Sequence, residues 1–420
     1  MDGPSVAIEA GRLPTAYRWP LADSAHARLR DRVLGLTGID LLPDEPIARR
    51  YGELLCAGDP VAERFVAETY HGDLGREASR VLLDRALDEG IDAIEDPPES
   101  MRALFDDFDA MPEWADPEQI EYGAAVWRRW GYALGGVGNA GTMDTYTEGS
   151  LAVPLSLAGG YAGERALNRY LETSRWWIEV SRPGAIVRQG SLARAHTMRV
   201  RVMHVSVRAG VRRHHEWDDE RWGLPISQSE MLLTLLGGSV GPAIGLYGLG
   251  HITSKADIEA LLVFNRYLGY LLGVRVDDIY PRTIADGLRL LYLFDATRSY
   301  DSGSVGAELV ESFVPGFAPR PDMSRRDRLR AWYHLQAQSG YARLFMLPQN
   351  RRRFELPGGW IGVALLLAEV PARLVGELAR RVIPGVDERL QRWSVDNWER
   401  WHSWQADRPA EFAAPSKLRR

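Results

Sequence analysis

Apolar residues recur at every third or fourth position along most of this chain, while strictly alternating runs bounded by hairpin turns are scarce. That periodicity confines the fold to helices packed on helices, since a stripe of helical period cannot present one face from a strand. Long helical patterns run over Pro117–Tyr132, Tyr161–Val180, Ser191–Arg213, Lys255–Leu272, Thr283–Phe294, Arg325–Met346 and Trp360–Val382. Asp59-Pro60 and Asp116-Pro117 each set an N-cap before a proline at the first helical position. Leu74–Leu87 is a further helical stretch, closed by Gly90. Gly184–Val187 is the best strand candidate, and it is short. The fold class is all-α.

Three segments organise the chain: a helical N-terminal segment over 1–113, a main helical domain over 114–385, and a C-terminal extension over 386–420 whose polar end, from Asp407, frays. Asp92–Ser100 and Ser312–Pro321 are the candidate linkers. Composition excludes several classes of protein. The single Cys56 rules out a disulfide framework and any four-cysteine zinc or iron–sulfur site. A formal net charge of −6 argues against a nucleic-acid binder, and 14 Trp against disorder. Met231–Gly250 is uncharged over about the length of a membrane span, but its six glycines, its proline and the lack of a basic flank make it a buried helix pair. With no basic start followed by an apolar run, the expected location is the cytoplasm.

Several motifs carry chemistry in principle. Gly136-Val-Gly138-Asn-Ala-Gly141 fits a dinucleotide fingerprint literally, yet AAVWRRWGYAL before it reads as helix rather than strand. Close helix contact, or a helix passing a flat ligand, is the better reading. Glu68/His71 and Glu399/His402 are Glu-x-x-His pairs of the type that builds helical di-iron sites, though they lie near opposite ends of the chain. His214-His215-Glu216 has a metal-like composition, but consecutive residues of a regular element cannot all face one ion, so a solvated helix end is expected.

Ala193–Arg213, ARAHTMRVRVMHVSVRAGVRR, stands apart. Val200, Val202, Met203, Val205 and Val207 surround His204 in a helix apolar nearly all round. Arg201, three residues before, and Arg208, four after, share the histidine's face. Two guanidiniums inside an apolar helix demand anionic partners. Two readings stand. Haem would offer iron to a neutral imidazole and propionates to the arginines. Alternatively, a core histidine bonds a carbonyl while both arginines reach Asp or Glu.

Upstream, in ALNRYLETSRWW, Arg169 and Thr173 share a helix face beside Leu167, Tyr170, Trp176 and Trp177. A hydroxyl on an apolar wall suits a dioxygen ligand, whereas the plainer role is a Thr bonded back to its own helix.

Arg169-xxx-Thr173 followed by Arg201-xx-His204-xxx-Arg208, with DIEALLVFNRYLGYLLGV at Asp257–Val274, resembles the latex-clearing proteins and the wider MpaB-like oxygenases over roughly Trp114 to Pro357. The resemblance implies a globin-like all-α core binding haem b, with His204 as axial iron ligand and Arg169, Thr173, Arg201 and Arg208 in the cofactor pocket. In rubber-cleaving members the reaction is dioxygenation of a C=C bond to two carbonyls. Where such members can carry a Lys before the Thr, this chain has Glu172, and Glu148 and Glu164 are the candidates for a pocket carboxylate.

The expected function is therefore a haem b- and O₂-dependent oxygenase or dioxygenase acting on an apolar unsaturated small molecule. Arg169 and Thr173 carry its distal chemistry, and Arg169 and Arg208 meet propionates. A haem sensor or carrier without turnover, and a di-iron oxidase, are the alternatives.

Overall fold

A computed structural model describes residues 11–21, 26–158 and 166–405, and no strand occurs among them. The N-terminal segment forms α1 (Ala27–Thr37), α2 (Glu45–Leu54), α3 (Pro60–Glu68), α4 (Gly75–Glu89) and α5 (Glu99–Asp109). The core begins with α6 (Pro117–Thr145), α7 (Gly149–Leu157), α8 (Ala166–Val180), α9 (Leu192–Val211), α10 (Asp219–Trp222), α11 (Gln228–Gly237) and α12 (Val240–Tyr247). It continues through α13 (Lys255–Leu271), α14 (Ile284–Ala296), α15 (Gly303–Phe313), α16 (Arg325–Phe345) and α17 (Pro348–Arg351). The last helices are α18 (Trp360–Ala368), α19 (Val370–Val382) and α20 (Val386–Gln405).

The longest helix, α6, is the hub on which α13, α16, α20 and α12 pack. Its glycines set the spacing. A Cβ on Gly123 would lie 2.2 Å from the carbonyl oxygen of Ala260 on α13, and one on Gly136 would lie 2.5 Å from the Tyr341 ring on α16. The fingerprint-like run is therefore helix, and Gly136 is there for close packing. Trp127 lies parallel to Trp177 of α8 at 4.4 Å, with Trp398 of α20 on its other side at 5.8 Å. These rings join the hub to its neighbours through large apolar area.

Both Asp-Pro starts are N-caps: Asp59 accepts from the Ala62 amide and Asp116 from the Glu118 amide. Met231–Gly250 does fold as a helix pair, α11 and α12, and 72% of its most apolar window is buried. Two expectations need correction. Trp360–Val382 is two helices, because Pro371 cannot donate to the preceding turn and the chain restarts at Val370. Gly184–Val187 is a turn rather than a strand, with Gly184 at φ +66°. The first residues of the predicted Tyr161–Val180 helix, Glu164 among them, and the tail from Asp407 lie outside the described residues.

Candidate functional site

Ser191 caps α9 by accepting from the Arg194 amide, and the helix then runs through the core to Val211. Arg201, His204 and Arg208 share a face of it and line one small pocket of about 220 Å³ with Asp59, Gln228, Met231 and Gly273. Both arginines find protein partners there. Arg201, 1% exposed, donates from Nε and Nη2 to Asp59 at 2.7 and 3.0 Å, and its Nη2 lies 2.7 Å from Asp107. Arg208 donates to Glu63 at 2.9 Å and to the carbonyls of Pro225 and Ile226. Gly273 completes the cradle: its φ of +79° ends α13, and a Cβ there would lie 2.1 Å from Asp59.

Arg208, expected to meet a propionate, is thus engaged by α3 and the turn before α11, and both arginines tie α9 to the N-terminal segment.

His204 differs from both. Its Nδ1 is buried with no hydrogen-bond partner, and neither ring nitrogen bonds to a described residue. Burial, with Arg208 adding to it, pushes the imidazole down to about 4, so the ring is neutral near pH 7. The carbonyl partner of an ordinary core histidine is missing. His402, by contrast, has one: it pairs with the carbonyl of Leu171 at 2.7 Å.

Between α8 and α9, Trp176 Nε1 donates to Thr197 at 3.1 Å. Thr173 donates to the Arg169 carbonyl at 3.1 Å, the back-bonded arrangement the sequence allows. Arg169 pairs with Glu172, whose carboxyl burial pushes up. Several residues stay partly open although their helices are largely buried: Asn139, Arg169, Thr173, Met203, His204, Thr234 and Gly237. A Cβ on Gly141 or Gly237 would meet nothing within 4 Å.

The donor set fits a haem at one point and only there. An orphaned neutral imidazole is a ready iron ligand. The pocket on the arginine side has room for about one water, far below the roughly 300–1,000 Å³ of usual cofactor sites.

The remaining candidates have other employment. Glu148 accepts from the amides of Ser299 and Tyr300 at 2.7 and 3.1 Å and pins that turn. It lines a second cavity, about 470 Å³, together with Glu230 and Arg298. Glu230, which the sequence reading passed over as a capping box, is pushed up to about 7 by burial, and its Oε1 has no partner. Glu68 pairs with Arg64, and Glu399 with Arg182. His214, His215 and Glu216 do converge, with ligand atoms within 4.8 Å. They lie just past the end of α9 at Val211, with His215 and Glu216 exposed, which is the solvated helix end expected.

The fold is that of a latex clearing protein in its closed state: the two structures align with a TM-score of 0.53 at 18% sequence identity, covering 82% of this chain and 90% of the other. Residues 124–383 match the catalytic-domain family described as ER-bound oxygenase mpaB/B'/Rubber oxygenase. The match spans well over half of the sequence, and the chain belongs to that family of oxygenase catalytic domains. No curated protein matches it.

Proposed function

We propose that this protein is a haem b oxygenase acting on an apolar, unsaturated small molecule, with His204 as the axial iron ligand. The observation that carries the reading is the imidazole: neutral, buried at Nδ1, without a protein partner, and mounted on a helix clamped by two ion-paired arginines. A bound haem would supply a redox-active iron able to take O₂.

The chain's own residues do the rest. The Asp59–Arg201 and Glu63–Arg208 pairs hold α9 so that the imidazole keeps one orientation. Thr173 donates its hydroxyl to the Arg169 carbonyl, and Arg169 pairs with Glu172 through an i,i+3 contact on the same helix. Glu172 stands where a lysine would offer a nitrogen to the iron, and its carboxylate is engaged by Arg169. Leu167, Tyr170 and Trp177 are the apolar wall beside these groups.

Oxygen uptake separates turnover from mere haem carriage. Adding an isoprenoid alkene to the haem-loaded protein is expected to consume O₂ and yield carbonyl products, while its saturated analogue consumes none. Haem retention with no uptake on any alkene would make the protein a carrier.

A further inference from the structure

Helix α19 is inside out. Its buried side chain is Glu377, 3% exposed, which accepts from Trp130 at 2.6 Å and from Arg380 at 2.7 Å. Leu374, Val375, Leu378 and Val382 point away from the protein, with Val375 68% and Val382 77% exposed. The same outward face continues along α18 through Trp360, Ile361, Ala364 and Leu367. Spaced mostly three or four residues apart within each helix, these positions form an apolar stripe on the outer faces of both.

Charge decides what covers it. Five charged residues lie between Leu356 and Val386. Glu369 pairs with Arg373, and Glu377 with Arg380, so both acids are neutralised at the protein side. At one end of the stripe Arg381 pairs with Glu377 at 3.2 Å and donates to the Ile252 carbonyl at 2.6 Å. At the other end Arg343 lies 3.8 Å over the Trp360 ring, and Arg351 and Arg352 follow. The stripe is thus basic at its Trp360 end, where an aromatic residue also stands, a pattern that suits acyl chains beneath anionic headgroups.

We propose that the α18–α19 face docks on the surface of an anionic lipid bilayer, its apolar stripe among the acyl chains and the arginines at its Trp360 end among the headgroups. The docking claim itself rests on the surface and needs neither haem nor turnover.

Flotation of the purified full-length protein with vesicles tests it. Phosphatidylcholine vesicles containing phosphatidylglycerol should carry the protein upward more strongly than pure phosphatidylcholine. A Val375→Asp/Leu378→Asp variant, altered at two exposed positions, should partition about tenfold less or weaker still while keeping its helical circular dichroism. Trp360→Ala, at the far end of the stripe, should move the same way. Equal partitioning of wild type and variants, or no flotation of any of them, overturns the proposal. So does a concentration-dependent dimer that the Asp variant dissolves without any vesicle binding, which would assign the face to a second copy.

Discussion

Arg201, on the helix that carries His204, donates two hydrogen bonds to Asp59 at 2.7 and 3.0 Å, and Asp59 is also the N-cap of α3. One carboxylate thereby starts an N-terminal helix and fixes the central helix of the candidate site. Both groups are almost fully buried, at 1% and 4% exposure. Asp59→Asn should leave a buried guanidinium half-paired and cost about 3–5 kcal/mol. Urea denaturation measures it. Arg201→Met combined with Asp59→Leu should recover much of that loss, because no charge is then stranded.

Glu230 gives the stability a pH dependence of definite sign. Its carboxyl is pushed up to about 7 by burial, above its ordinary range near 4.5. The stabilising contribution of the protonated form is fully present below about 4.5 and is lost as pH rises through 7. Glu230→Gln, which keeps an acceptor for the Ser227 amide, should therefore match wild type at pH 4.5 and exceed it by about 1–3 kcal/mol at pH 8. Equal stability at pH 8 would mean that the carboxylate is solvated as well as an exposed one.

Two glycines of α6 should respond oppositely to alanine. Gly123→Ala places a methyl 2.2 Å from a backbone oxygen of α13, which cannot swing aside, so a loss of about 1–3 kcal/mol is expected. Gly141→Ala meets nothing within 4 Å and should stabilise the cofactor-free protein by about 0.5–1 kcal/mol. Thermal melts of the two variants decide it.

How much of this was readable beforehand follows from the range of each interaction. The helices, the two Asp-Pro caps, the buried pair α11–α12 and the shared face of Arg201, His204 and Arg208 are all local, set by periods of three and four residues. The partners of those arginines are not local: Asp59 is 142 residues from Arg201, and Glu63 is 145 from Arg208. Spacing says that the guanidiniums need anions, and only the fold says which. The outward face of α19 was unreadable for a related reason: its amphipathic pattern is strong, but periodicity does not tell which side faces the protein.

Thr173 separates cofactor binding from chemistry. Thr173→Val removes the hydroxyl at nearly constant volume, so haem content should stay at the wild-type level while alkene-dependent O₂ uptake falls about tenfold to a hundredfold. Loss of haem in this variant would assign the residue to holding the helix.

The central claim is that His204 binds haem iron. Absorption in the Soret region and an iron assay, made on the haem-reconstituted wild type and on His204→Ala, test it most directly. The account predicts one haem per chain in the wild type, and loss of stoichiometric haem in a variant that still folds as a helical protein. An unchanged Soret band and iron content in His204→Ala would contradict it.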